Sequence, residues 1–479
     1  MEIPGYFYDA EKKKYFKISK NPASYYSTDN VKRLKLQHEA EEKRQIAAAN
    51  TRERIKRSEI LRQPATGGFL AREYGLRPPD LPVACFAREL RGKGHVPIWR
   101  NDSWGNEVEH LCVVDAASTP HGIAIGSYSE SEIGSAYLPR DEYDRVIWDP
   151  TQPFDTQRPS HLASVSQISS MKYSHKSNSV LITSREPGNE GGIYSLLHRT
   201  WNSGHSGPNL SHLHSWPATG KFARRQANTC APAPAANSNL VCVVGTGRGL
   251  GCLTTAGQML WVEEPPGAGP SPRPKKGQPA VSSDILSLDF LLGSPQVVLA
   301  GARGSRRICI ADLRQRGREW EWLVHRSPPA HVRCLGEHHV LAAGPSSSMS
   351  VYDLRFRFRE TYRNSPLVTF PEFRNWEKMH FGLDVDTSLG VVATADCPSR
   401  KMGAAGGGHH TVSIFSLETG KRLEAPGLEN PAETGNGAKS LVFHRLPGET
   451  NASLFVGGGR GAVVKYSFGG NVDEWNGDP

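Results

Sequence analysis

VVLAGARGSRRICIADLR (residues 297–314) and HVLAAGPSSSMSVYDLR (residues 339–355) are one block written twice. Each runs from a strand that ends in small residues, through a short turn, into a second strand that carries β-branched residues. Each closes on the same tripeptide, Asp312-Leu313-Arg314 in one copy and Asp353-Leu354-Arg355 in the other. The copies lie 41 residues apart, the period of a supersecondary unit of four strands repeated every 40–45 residues or so. A unit of that size cannot bury its apolar faces alone, so it predicts further copies on either side.

Period-two alternation and turn residues locate those copies. They fall at residues 111–138, 168–197, 240–262, 285–324, 331–358, 383–423 and 440–468. Seven such blocks predict an all-β fold, a seven-bladed WD40-type β-propeller over residues 83–468. The last block stops after its third strand, so its fourth is expected from chain near residues 83–100. Shared closure of that kind leaves no open sheet edge. Residues 263–283 are rich in Pro and Gly without a strand pattern and read as a disordered insertion. The stretches 203–216 and 399–410 look similar, and residues 469–479 form a tail.

Ahead of the propeller, residues 1–75 read as a basic arm. Two aromatic clusters, Tyr6-Phe7-Tyr8 and Tyr15-Phe16, suggest a small hairpin or a peptide that packs on a partner. Residues 29–62 contain no Gly or Pro and predict a charged helix. Residues 1–62 carry 15 Lys+Arg against 9 Asp+Glu, which leaves +3 of the total +9 for the rest of the chain. So slight a charge on the propeller does not indicate nucleic-acid binding by itself. No apolar run reaches the roughly 18 residues of a membrane span, and the N-terminus has no apolar core of a signal peptide. None of the eight cysteines forms Cys-x-x-Cys, and most sit in apolar strand-like runs. Reduced core thiols in an intracellular protein, nuclear or cytoplasmic, are the expectation.

Chemistry-bearing patterns are few. GTGRGLG (residues 245–251) joins two strands, opens no helix and lacks a P-loop lysine, so it reads as a tight turn. His205, His212 and His214 have no acidic or cysteine partner at ligand spacing, so neither a metal nor a cofactor is expected. Catalysis has no candidate residues. What remains is the paired Asp-x-Arg. Arg314 and Arg355 stand at equivalent positions of successive blades, and strand formation does not require them. Two guanidinium groups on one rim suit a docking surface, because the planar fork bonds carboxylates and carbonyls bidentately.

At these residues the chain resembles the WD-repeat substrate receptors of cullin-4 RING ubiquitin ligases, in which a block ending Trp-Asp-x-Arg is doubled in adjacent blades. The opening PGYFYDAEKKKYFKI (residues 4–18) is similar to the start of one member of that family. Here the tryptophan is replaced by Ala311 and Tyr352, which weakens the motif and leaves its arginines in place. The resemblance implies a non-enzymatic subunit that docks on the adaptor, damage-specific DNA-binding protein 1, and presents a protein substrate for ubiquitination. It assigns Asp312, Arg314, Asp353 and Arg355 to the adaptor contact, with helix 29–62 as a weaker candidate. The competing reading is a WD40 scaffold for RNA, ribosome assembly or chromatin, served by the basic arm and by Arg303, Arg306 and Arg307. The aromatic and basic run 362–381 could stack bases but reads more simply as an inter-blade connection with buried aromatics. No membrane partner is expected.

Overall fold

The second strands of the repeats are apolar or small along most of their length, and the structure shows why. In the computed structural model Ser179–Ser184, Val391–Ala395 and Ser453–Gly457 are buried at every position. A strand covered on only one face would alternate; these are covered on both, because each sheet stacks between two others. The model describes residues 6–41 in short runs and 80–469 apart from several segments, the longest being 99–106, 147–159, 198–212, 217–225, 264–283, 356–364, 397–411 and 429–437. The chain divides into two units, Met1–Leu81 and Pro82–Pro479.

The larger unit is a seven-bladed β-propeller. Seven four-stranded antiparallel sheets follow one another, numbered here as blades one to seven from residues 108–164, 168–215, 227–263, 285–324, 331–369, 383–423 and 440–468. Blade seven supplies three strands of its own and takes its outermost from Leu90–Pro97, which pairs antiparallel with Ala462–Phe468. The expected closure by early chain is thus present. Its approach differs from the alternating pattern read from residue 83: Leu81–Arg88 is a helix that buries Phe86 and Ala87. Pro82 is tolerated in the first turn, where its missing N–H is not needed, and Phe86 packs with the core between blades six and seven. The inner strand of blade three, Ala227–Pro232, escaped the sequence pattern because Pro and Ala replace the usual β-branched residues.

Small residues end the second strands for a steric reason. A Cβ on Gly301 would stand 2.7 Å from the Pro329 carbonyl oxygen, and one on Gly344 would meet that of Pro328. The chain entering blade five passes across both strand ends. Adjacent inner strands are joined through side chains. Ser170 Oγ accepts from Cys230 N–H (3.3 Å), Ser287 Oγ from Val332 (2.8 Å), Asp289 Oδ2 from Cys334 (2.8 Å) and Asp384 Oδ2 from Phe443 (2.7 Å). Where the ring closes, Ser440 Oγ donates to the Val108 carbonyl at 2.9 Å.

In the smaller unit, Tyr6–Asp9 and Lys14–Lys17 form a hairpin with Phe7 opposite Phe16. Tyr26 stacks on Phe16 at 4.3 Å, and Lys12 Nζ donates to the Tyr26 hydroxyl. Residues 30–33, 36, 37, 40 and 41 are helical, and Ser27 Oγ caps Asn30 N–H. The rest of the expected helix 29–62, the insertion 263–283 beyond its first residue, the stretch 399–410, the tail after residue 469, and His205, His212 and Cys397 lie outside the described residues. The seven described cysteines are free, and burial pushes the thiols of Cys112 and Cys252 up to about 12. No described helix is long and apolar enough to cross a membrane.

One ion cluster ties blade one to blade seven. Glu449, 6% exposed, meets Lys465 Nζ at 2.7 Å, and that lysine is 1% exposed. Arg140, which follows the third strand of blade one, lies 3.5 Å from the same carboxylate. Ser453 Oγ and Leu446 N–H also donate to it, each at 3.0 Å. Removing one partner of a buried pair typically costs about 3–5 kcal/mol, so Glu449→Ala should lower the thermal midpoint sharply. Glu89→Ala, at an exposed ion pair with Arg91, should stay within about 0.5 kcal/mol of wild type. Equal midpoints for the two variants would show that the cluster does not support closure.

Candidate functional site

The two Asp-Leu-Arg copies sit in one register. Asp312 ends the third strand of blade four (Arg307–Asp312) opposite Val297, the first residue of the second strand. Asp353 ends the equivalent strand of blade five (Ser348–Asp353) opposite His339, again the first of its strand. Each following leucine donates its N–H back across the ladder, Leu313 to Gln296 (2.9 Å) and Leu354 to His338 (2.7 Å). Strands alternate in direction, so the first-to-second and third-to-fourth turns of every blade share one face of the disc. Both motifs therefore lie on that face, in neighbouring blades.

Alternation turns the leucine inward and the charges outward. Leu354 is buried among Leu299, Val340 and Tyr352, while Leu313 packs partly against the neighbouring core. Each aspartate clasps its own arginine. Asp312 Oδ1 accepts from the Arg314 backbone N–H and from its Nε, both at 3.0 Å, and Oδ2 accepts from a terminal nitrogen at 2.7 Å. Asp353 repeats the arrangement with Arg355 at 2.9, 3.1 and 2.7 Å. Bonds to the arginine hold both carboxyls below the usual range and raise both guanidinium groups. The aspartates are 15% and 6% exposed, the arginines 70% and 56%. The carboxylate thus orients a planar cation that still faces solvent, at lower entropic cost for a partner than a free side chain. Sequence reasoning placed the arginines on a rim and left open whether each only pairs with a local aspartate; here each is held by the aspartate two residues before it and stays exposed.

A buried relay fixes the second copy from behind. His325, in the connection into blade five, is hydrogen-bonded to the Tyr352 hydroxyl through Nδ1 and to the Ser348 hydroxyl through Nε2, each at 2.8 Å. Ser327 continues it to Ser348 at 2.5 Å. Tyr352, standing where a tryptophan was expected, precedes Asp353 and anchors the strand through its hydroxyl. The signal was present as His-x-Ser and Ser-x-x-x-Tyr, yet only the fold shows that the two segments meet. The other basic candidates, Arg303, Arg306 and Arg307, lie on the turn between second and third strands or start the third strand, toward the opposite face. In the run 362–381 Phe370, Phe373 and Phe381 are buried and Trp376 is exposed, as an inter-blade connection requires. Thr246 pairs with Gly249, which opens a third strand at φ +143°, so the glycine run 245–251 spans a tight turn and the strand ends on either side of it. Among the described residues no three of His, Cys, Asp or Glu gather as metal ligands.

No protein-family model matches the chain, and no curated protein sequence does. Among solved structures it is similar to the WD40 β-propeller domain of Doa1. That likeness has a TM-score of 0.49 and 9% identity, covering 79% of this chain and 97% of that one. The fold assignment rests on the seven closed sheets themselves.

Burial holds the His325 imidazole down to about 4 and the His110 ring down to about 3, against about 6.5 in an unfolded chain. Between those values the unfolded chain binds protons that the folded one does not, so stability rises with pH. The contribution is complete above about pH 6.5 and is lost as pH falls toward 4. Thermal midpoints should therefore be lower at about pH 5 than at about pH 7. An unchanged midpoint would mean that both rings titrate alike folded and unfolded.

Proposed function

We propose that this protein is a non-enzymatic substrate-recognition subunit of a cullin-4 RING ubiquitin ligase. It docks on the adaptor, damage-specific DNA-binding protein 1, through Asp312, Arg314, Asp353 and Arg355, and holds a protein substrate on surface the adaptor leaves open. The observation that carries this reading is the pair of identical clasps in consecutive blades, each presenting an oriented and exposed arginine on the same face. Local stability needs one aspartate to cap each turn; it does not need the same exposed guanidinium twice in register. The sequence resemblance at these residues supports the choice of adaptor. In this role the protein works inside the cell, in nucleus or cytoplasm, with residues 29–62 as a second, weaker candidate contact.

Arginines at interface hot spots typically cost about 2 kcal/mol or more each on truncation. Arg314→Ala with Arg355→Ala should therefore weaken adaptor binding by about a thousandfold, with the propeller still folded. Pull-down of purified adaptor, with melting curves alongside, reads this directly. Full retention by the folded double variant would remove the rim from the interface, and no capture by wild type would end the receptor reading.

A further inference from the structure

The axis of the propeller is a channel of about 430 Å³ lined by the inner strands, within the size range of ligand pockets. Charged residues meet there at one level. Lys172 pairs in register with Leu181, Asp289 with Leu299 and Arg333 with Leu341. Those leucines occupy one position of the repeat, following Val180, Val298 and Val340. Lys172 comes from blade two and Arg333 from blade five, on opposite walls. Asp384 of blade six joins them, 4.0 Å from Arg333 Nε.

The carboxylates and the cations are used differently. Asp289 gives Oδ1 to Phe290 N–H and Oδ2 to Cys334 N–H, and Asp384 gives Oδ2 to Phe443 N–H. Both acids are thereby turned into the walls, stitching one blade to the next. Arg333 has only the Val332 carbonyl at 3.5 Å besides its long contact to Asp384. Lys172 makes no hydrogen bond or ion pair among the described residues, and the facing Arg333 is the chief influence that lowers its affinity for a proton. His331, two residues before Arg333 and so on the same side of its strand, buries Nε2 without a partner. Two like charges face each other across the lumen, Lys172 without an acceptor and Arg333 with only long contacts.

We propose that the channel is a binding site for an acidic peptide, whose side-chain carboxylate bridges Lys172 and Arg333. A carboxylate carries two acceptor oxygens and one charge, which matches one unpartnered and one loosely held cation. The wall aspartates already balance much of the local positive charge, so a single negative charge is accommodated and a phosphate dianion is repelled. The choice of a peptide to carry the carboxylate rests on the proposed receptor role; the site itself does not. Arg185 of blade two bonds His380, ahead of blade six, at 2.6 Å, and this contact spans the channel mouth above the cations. A peptide entering from that face would part it.

Fluorescence polarisation of the full chain with a fluorescein-labelled Glu-rich peptide tests this, against the same peptide with Glu→Gln. Lys172→Met keeps the aliphatic stem and removes one of the two facing charges. It should weaken binding of the Glu peptide at least about tenfold, the scale of one lost charge-assisted bond, and leave the thermal midpoint equal or higher. The Gln peptide should bind wild type as weakly as the Glu peptide binds the variant. The double variant at Arg314 and Arg355 should bind the Glu peptide like wild type, which separates this site from the adaptor contact. No binding, equal binding by Lys172→Met, or equal binding of the Gln peptide would each overturn the proposal. Displacement of the peptide by inorganic phosphate at lower concentration than by acetate would overturn the preference for a carboxylate.

Discussion

Everything in the larger unit depends on the ladder between Leu90–Pro97 and Ala462–Phe468. Seven sheets set radially form an open array with two free ends until that ladder is made. The pairing joins residues about as far apart in sequence as this unit allows, so a large loop-closure entropy opposes it. It is opposed only once, and the return is that every blade becomes an interior blade with both faces covered. That is why strands such as Val391–Ala395 can be buried at every position without exposing an apolar patch. The Glu449, Lys465 and Arg140 cluster sits at the same seam. Its geometry is specific where an apolar contact there would be permissive, which suits a junction that must form in one register.

The inner strands face a different problem. They splay around an axis, too far apart for a continuous backbone ladder, yet their outer N–H groups are buried and need acceptors. Serine and aspartate side chains supply them, as Ser287 and Asp289 do for Val332 and Cys334. Carboxylates used in this way bring negative charge to the channel wall, and Lys172 and Arg333 answer it without being hydrogen-bonded to it. The rim arginines are the reverse case. Each is hydrogen-bonded by its own aspartate and still open to solvent, a rigid cation on the surface where the channel cations are loosely held inside.

Much of this was legible in the chain. The two Asp-Leu-Arg blocks gave the period, alternation and turn residues located seven blocks, and the incomplete last block pointed to early chain for its missing strand. Small residues at Gly301 and Gly344 were part of the signature before the structure explained them by the crossing chain at Pro328 and Pro329. Two local readings went astray where local signals were weak. The helix Leu81–Arg88 begins with Leu-Pro and is too short for a helical period to stand out. The strand Ala227–Pro232 carries alanine and proline, which propensity assigns to other structures. Both are held by the propeller they pack on.

The candidate sites divide along the same line. Arg314 and Arg355 were found from the sequence because a repeat carries its function in register, and one position in one blade predicts the same position in the next. The clasp by Asp312 and Asp353 was one of the readings open to the sequence, since spacing alone does not say whether a side chain two residues away turns toward its neighbour. The channel was hidden altogether. Lys172, Asp289, Arg333 and Asp384 belong to four blades, more than two hundred residues separate the first from the last, and no local pattern marks them. Sequence by itself determined the repeat, its closure and the rim, because these follow from alternation and periodicity along the chain. Only the tertiary structure decided which charges face one another across the axis, because that depends on how far each blade turns before the ring closes.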